Sequence, residues 1–452
     1  MKRSVIIFIS ILFCISAFAQ QNNTRTAYFL DNYTYSYRQN PAFAPTHGFV
    51  SMPLLGNISV GLESNLALSD FLYPTKGGKL SLFIDDSVTS QEFLGKLDDD
   101  NALNTNLNMT VLAFGFKTGK LYHTLDVSLK AGQNATLPKS LMSFVKAGTE
   151  NGANSWNITN IGLGLNAYGE VAYGLSLPVN ESLRVGGRIK AILGLARAQM
   201  MIDKLDISMT EERWSAATDG SLEYAGPLEF GMSGNTLDLT DIGLGDIDGL
   251  SGMGFGIDLG ASYDFLDIFT ASVSILDLGF IKWNNTTFAT GGSDYEFDGF
   301  GTISGTDQIV DQLNGLTDEL TKLVQFNKSG NGTAKRGLAA TLHAGIEAKM
   351  PFYDRLSFGL LGTHRFNGVY SWTEGRLAAN LMPVDCIGIA ASCGVSNHGG
   401  SFGGIVNFAF QGFNLFVGVD SFMPLMNVTP QFIPIDNLTT NVALGLNITF
   451  GK

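Results

Sequence analysis

Val442-Ala443-Leu444-Gly445-Leu446-Asn447-Ile448-Thr449-Phe450 places a large apolar side chain at every second position and a small or polar one between. Side chains alternate faces along a strand, so Val442, Leu444, Leu446, Ile448 and Phe450 meet one medium and Ala443, Gly445, Asn447 and Thr449 another. One such strand fits a soluble sandwich. A dozen more in an exported chain fit a transmembrane barrel, whose staves alternate apolar-out and polar-in.

The N-terminus reads as an export signal: Lys2 and Arg3, an apolar run from Val5 to Phe13, then Ala17-Phe18-Ala19 before Gln20. We therefore expect a signal peptide over 1–19 and a mature chain from Gln20. Past it, no stretch approaches the roughly 18 apolar residues of a membrane helix. Yet 45% of the residues are hydrophobic and only 15% charged, which lipid-facing strands reconcile. The formal charge of −13, or −15 without Lys2 and Arg3, sets the chain against nucleic acid, whose phosphates it would repel. Cys386 and Cys393, at an odd spacing, are expected as two free thiols.

Outward from the C-terminal strand, the pattern predicts fourteen staves near 48–62, 105–117, 121–132, 158–178, 183–198, 253–264, 268–281, 335–349, 355–366, 369–382, 385–396, 400–410, 413–421 and 440–450. The long connections (63–104, 133–156, 199–252, 282–333 and 422–439) all follow odd staves, and tight turns follow even ones. That parity belongs to a barrel with periplasmic termini, short periplasmic turns and longer outer loops. Sixteen staves result if 199–252 supplies two membrane crossings rather than an outer hairpin. Leu141, Phe144 and Val145 predict a short helix in one outer loop. Ile309, Val310, Leu313, Leu316, Leu320, Leu323 and Val324 predict an amphipathic helix in another. On the fifth stave Arg184, Arg188 and Lys190 share a face, and cations are costly in lipid, so that face is the lumen. Asp258 and Glu347 occupy the matching inward positions on their staves.

Residues 20–47 do not alternate. Pro41 and Pro45 remove ladder donors, so the segment lies in or across the barrel. A fourteen-strand bore is wider than its own side chains fill, and we expect 20–47 to plug the barrel formed by 48–452. Tyr28, Phe29, Leu30, Tyr33, Tyr35, Tyr37 and Phe43 crowd this segment, either packing it against the wall or lining a path for an apolar ligand.

The tripeptide Asn40-Pro41-Ala42, shortly after a signal peptide and before the staves, resembles the plug of the long-chain fatty-acid transporter (FadL-like) outer-membrane barrels. It also resembles PorP/SprF-type and PorV-type proteins of secretion and gliding machinery. Gly254–Tyr263 and Gly186–Lys190 look like the secretion-associated and the uncharacterised relatives, the latter a Gram-negative outer-membrane family labelled as a domain of unknown function. The resemblance implies an outer-membrane location, contacts with outer-membrane lipid and barrel-assembly machinery, and Phe450 as the assembly signal. It further implies passive uptake of hydrophobic small molecules or, alternatively, a non-transporting anchor for secretion or surface proteins. Beyond the tripeptide, no fatty-acid-binding residue of that family matches.

No catalytic constellation emerges. His47, His123, His343, His364 and His398 are scattered without metal-ligand spacing. Glycines recur with period two rather than as a phosphate loop, and Asp238, Asp241, Asp246 and Asp248 miss the EF-hand spacing. We expect no enzyme, cofactor or metal.

Overall fold

The computed structural model describes residues 24–74, 80–147, 155–209, 214–246, 249–292, 295–297, 324–423, 428–429, 434–435 and 437–451. Its body is a closed antiparallel barrel of fourteen staves. The first stave, β1, is broken into Gly48–Ser51 and Ile58–Ser64. It is followed by β2 (Asp100–Thr118), β3 (Leu121–Pro138), β4 (Ser155–Pro178), β5 (Leu183–Met209), β6 (Gly252–Phe265), β7 (Phe269–Gly291) and β8 (Ala340–Met350). Then come β9 (Tyr353–Phe366), β10 (Trp372–Val384), β11 (Ile387–Ser396), β12 (Gly399–Phe410), β13 (Phe413–Val419) and β14 (Thr440–Phe450). Each stave pairs with the next, and β14 closes on β1 through Gly48 opposite Phe450 and Val60 opposite Val442. Closure removes the sheet edge that a lipid environment would not tolerate.

The alternation predicted from sequence survives as burial. Along β14, Asn441, Ala443 and Asn447 are buried while Val442, Leu444, Ile448 and Phe450 are exposed. Around the end with tight turns, outward aromatics form a girdle: Phe114 stacks on Phe450, Tyr263 on Phe265, and Phe265 on Phe269. Such rings mark the interface between hydrocarbon and water. The long connections all leave from the opposite end.

Several staves depart from the expected extents: β2 and β3 reach outward to Asp100 and Pro138, β10 starts only at Trp372 after a 3-10 turn at Gly368–Tyr370, and β1, β5 and β7 differ most. Read as continuous, β1 is instead interrupted: Ser51 opposes Asn447 and Ile58 opposes Leu444, seven steps on β1 against three on β14, so four extra residues are extruded. Pro53 lacks a ladder donor and Leu54 has φ 63°, which explains the break locally. β5 and β7 run well past the expected 198 and 281, because 199–252 and 282–333 continue as wall. The strand Trp214–Ala225 pairs with β5 on one side and Thr287–Thr290 of β7 on the other, taking the place of β6 beyond the membrane. The strand Phe326–Gly337 carries β8 outward along β7. Thus 199–252 adds no membrane crossing. Its hairpin of Leu228–Ser233 and Thr236–Leu244 adds to the head, Thr236 and Leu237 pairing with Asn327 and Phe326 and Leu237 entering the head's core. The helix expected around Leu141 spans Lys139–Ala147, with further short helices at Leu68–Phe71 and Ser90–Leu94. The helix expected from Ile309 to Val324 falls largely outside the described residues.

The head has its own aliphatic core, with Phe144, Ile158, Ile202, Leu205, Ile207, Met209, Leu237 and Phe326 all buried.

Candidate functional site: a plug seated in the bore

Residues 24–42 lie inside the barrel, and nearly all of them are buried. Two short 3-10 turns, Arg25–Ala27 and Ser36–Arg38, fold the segment tightly enough to fit the bore. Its seat is the Asn40-Pro41-Ala42 turn. The Ala42 amide donates to Asn40 Oδ1 (2.9 Å), closing the turn on itself. Asn40 Nδ2 donates to the Ala261 (3.2 Å) and Val273 (3.3 Å) carbonyls of β6 and β7, and Ser176 of β4 donates to the Ala42 carbonyl (2.7 Å). This close approach requires glycine on the wall. A Cβ at Gly186 would overlap the Pro41 carbonyl, and one at Gly260 would overlap the Asn40 amide.

The plug aromatics occupy two places. Tyr28, Phe29 and Phe43 cluster near Leu361 and Ala378, with Tyr28 edge-on to both Phe29 and Phe43. Leu30, Tyr33, Tyr35 and Tyr37 pack with Phe49 and Phe416. The hydroxyls anchor to the wall: Tyr35 donates to Asn447 (2.7 Å), Tyr37 to Asp126 (2.6 Å), and the Tyr28 and Ser272 hydroxyls are hydrogen-bonded at 3.2 Å. Tyr35 and Phe416 also border the break in β1, where a Cβ at Gly56 would sit 2.8 Å from the Tyr35 hydroxyl and one at Gly445 would overlap Phe416.

Two ionic networks flank the plug. In the first, Arg38 reaches Asp126 (2.6 Å), which also holds Arg188 (2.8 Å); Arg188 reaches Asp258 (2.8 Å), and Lys190 joins Asp258 (2.6 Å) to Asp277 (2.5 Å). Lys130 binds Glu170 (2.6 Å) beside them. Four cations thus face four carboxylates, all buried. In the second, Arg25 reaches Glu63 (3.2 Å), Glu374 (3.4 Å) and Asp420 (3.4 Å), and lies 4.7 Å from the centre of the Trp372 ring. Asp420 also accepts from the Arg25 and Thr26 amides, both at 2.9 Å. Burial by itself would lower the pKa of both plug arginines. The carboxylates of Glu374, Glu63 and Asp420 around Arg25, and of Asp126 around Arg38, hold them above the ordinary guanidinium value instead.

Of the lumen charges expected from sequence, Arg188, Lys190, Asp258 and Glu347 face inward and are buried, the first three in one network. Arg184 sits apart near the tight turns, donating to Ser176 (3.1 Å). Sequence reading did not single out Arg25, Arg38, Asp126, Lys130, Glu170 or Asp277 as site residues. Inward parity on β3 and β4 marks Asp126, Lys130 and Glu170. Asp277 escapes it because a bulge with φ 58° turns its side chain into the bore.

A second closure lies toward the outer end. The β9–β10 connection, Asn367 to Ser371, reaches across to the opposite wall: Asn367 Nδ2 approaches Asn134 Oδ1 of β3 (3.5 Å), and the Tyr370 hydroxyl lies 4.0 Å from Met201 Sδ of β5. Tyr370 is buried, and a Cβ at Gly162 of β4 would lie 2.5 Å from its hydroxyl. On the head, Tyr224, Leu228, Phe230 and Met232, with Glu229 and Lys328, line an open pocket of about 400 Å³.

Residues 41–420 match a family model described as a family of unknown function, DUF5723. The chain belongs to that family. No curated protein matches it. Among solved structures it is similar to the toluene transporter TbuX of Ralstonia pickettii (11% identity over 97% of this chain and 100% of that one, TM-score 0.46). It is similar also to a FadL homologue of Pseudomonas aeruginosa (11%, 96% and 99%, 0.46) and to the toluene transporter TodX of Pseudomonas putida (9%, 96% and 99%, 0.42).

Proposed function

We propose that the protein is a plugged outer-membrane channel for passive entry of apolar, fatty-acid-like small molecules. The plug aromatics line the path, and Asn40, Pro41 and Ala42 form the plug's hinge on the wall. One observation carries the reading: the aromatic cluster of Leu30, Tyr33, Tyr35, Phe49 and Phe416 lies directly against the break in β1. There the regular ladder gives way to a bulge held to β14 and β2 by only a few backbone bonds, from Met52, Leu54, Leu55 and Asn57, and Leu54 and Leu55 are exposed. Apolar sites are concave and mostly apolar with few polar groups, and this cluster adjoins the one gap in regular pairing on the β14–β1–β2 seam. An apolar molecule displacing the plug rings would find lipid beyond that gap. Export through a signal peptide at 1–19, assembly through Phe450 and residence in the outer membrane complete the reading.

The test is chemical. Protein purified from its own membrane is extracted and the apolar fraction identified, and uptake of the same class of molecule into vesicles is measured for wild type, Tyr35→Ala and Gly186→Val. A stoichiometric apolar ligand lost in Tyr35→Ala, with faster uptake in Gly186→Val because the added side chain unseats Pro41, is the expected outcome. An empty bore together with uptake equal to protein-free vesicles would sink the proposal.

The outer head supports a second reading. A purely passive channel has no need of the hairpin Leu228–Leu244, which is paired to the head through Thr236 and Leu237 and exposes Met232 and Leu244. A barrel that anchors a secretion or surface protein, as the PorP/SprF resemblance implies, would use it. Deleting 228–244 separates the two: transport survives the deletion in the first reading, and only partner retention is lost in the second.

A further inference from the structure

Lys282 of β7 stands directly opposite Lys335 of the strand Phe326–Gly337. Both side chains are exposed on the outer face of the wall. Directly opposed residues hold their Cβ atoms about 5 Å apart, and like charges so placed repel. Chains normally set a carboxylate beside such a pair. Here the same-face neighbours by register are Met253, Phe280, Asn284, Thr333 and Gly337, and neither lysine makes an ion pair among the described residues. Instead the Lys335 ammonium lies 3.9 Å from the centre of the Phe280 ring.

The height of the pair is equally specific. Lys282 opposes Met253, twelve residues from Phe265 in the aromatic girdle. At ~3.3 Å per residue and a tilt of ~40° those residues rise ~30 Å, just past an apolar band of ~25 Å. Immediately toward the membrane lie Phe255 and Phe280, opposed to one another and exposed to lipid. Beside Phe280 the wall carries Gly337, where an added Cβ would approach only the Gly279 carbonyl, at 3.9 Å. Two unneutralised cations therefore sit at the outer water boundary above an aromatic surface with a shallow notch. On a chain of formal charge −13, such a pair is not a general feature of the surface.

We propose that Lys282 and Lys335 bind the phosphate of a phosphorylated glycolipid of the outer leaflet, with an acyl chain lying along Phe280, Phe255 and the Gly337 notch. A phosphate oxygen bridging both ammonium groups relieves their repulsion, and the bound lipid fixes the wall where β7 and β8 continue into the head. The site lies on the barrel's outside, so it is independent of whether the bore transports anything. It rests only on the outer-membrane reading.

Native mass spectrometry on the purified full chain in detergent tests this with three probes: bis-phosphorylated lipid A, the same lipid without phosphates, and inorganic phosphate. The expected result is retention of the phosphorylated lipid alone. Binding weakens about tenfold or more in Lys282→Gln/Lys335→Gln, which removes both cations from the charged lipid surface. It persists in Lys282→Arg/Lys335→Arg and in the control Lys117→Gln/Lys120→Gln on the opposite rim. Equal retention of the two lipids, equal binding by the Gln pair, or competition by inorganic phosphate with no lipid retained would each overturn the proposal. Folded barrels resist mass shift in unheated gels, so a variant that fails to fold is recognised and replaced by the single Lys282→Gln.

Discussion

The bore and the head solve the same problem, filling the inside of a β-structure, with opposite chemistry. In the bore, a separate segment is held by ion pairs, hydroxyls and an Asn-Pro-Ala turn on glycine. In the head, helices, hairpin and strand extensions bury Ile158, Ile202, Leu205 and Ile207 in an ordinary aliphatic core. The difference separates a segment placed by directional contacts from a head placed by non-directional ones. Aliphatic burial is stable and weakly directional, at about 25 cal/mol per Å². Buried ion pairs nearly cancel their own desolvation, but they are demanding in geometry and costly to leave half made. A segment held by the second kind of contact has one well-defined seated position, and because its counter-charges Glu63, Asp126, Glu374 and Asp420 stay on the wall, it unseats only where water enters to solvate them.

Asp126→Ala gives the sharpest break of that comparison. It strips the shared carboxylate from Arg38 and Arg188, held at 2.6 and 2.8 Å, and from the Tyr37 hydroxyl. Leaving two buried guanidinium groups short of a partner costs about 3–5 kcal/mol. The expected outcome is a lower unfolding temperature in heat-shift gels together with raised conductance in planar bilayers, because the plug no longer seats. Unchanged conductance even when Tyr370→Ala also releases the outer strap would mean that aromatic packing alone holds the plug.

Leu205→Ala makes the complementary cut in the head. A buried leucine lost to a cavity costs about 2–4 kcal/mol, and here the cost stays local. Hydrogen exchange should quicken across the outer reach of β4 and β5, residues 155–165 and 199–209, while conductance and plug seating remain as in wild type. Conductance that follows the head mutation would show bore and head to be one cooperative unit.

Much of the bore was legible in the sequence, because period-two alternation and the parity of connections are local signals. Arg188 and Lys190 declare an inward face without any knowledge of their partners. The partners themselves were hidden. Glu63, Asp126, Glu374 and Asp420 lie far apart in the chain, and only barrel closure brings them to Arg25 and Arg38. Asp277 was hidden differently, since its bulge breaks the alternation on which the reading depends. The interruption of β1 left a trace in Met52-Pro53-Leu54-Leu55-Gly56, but the apolar residues on either side keep the pattern superficially continuous. The outer reach of β5 and β7 was illegible because a strand that leaves lipid for water loses its apolar-out rule, although the backbone pairing continues unchanged.

Tyr370 makes the smallest but most informative cut, because its connection is the point where the bore meets the outer end. Its ring fills the space that Gly162 leaves open and, with Asn367 against Asn134, lays a strap across the barrel. Losing that contact in Tyr370→Ala should release the strap by about 1.4 kcal/mol, a tenfold change in the open fraction. A thiol at Gly164 reports it: a Cβ there meets Asn134 Nδ2 at 3.6 Å and Gln199 Nε2 at 3.9 Å, ordinary contacts, so Gly164→Cys fits without strain. With Cys386 and Cys393 changed to Ser, a membrane-impermeant maleimide added outside should label Gly164→Cys about ten times faster when Tyr370→Ala is also present. The Asp126→Ala plug variant should leave that rate alone, since it opens the bore from the other side. Equal rates with and without Tyr370 would show that the strap does not close the bore, leaving the plug as the barrier among the described residues.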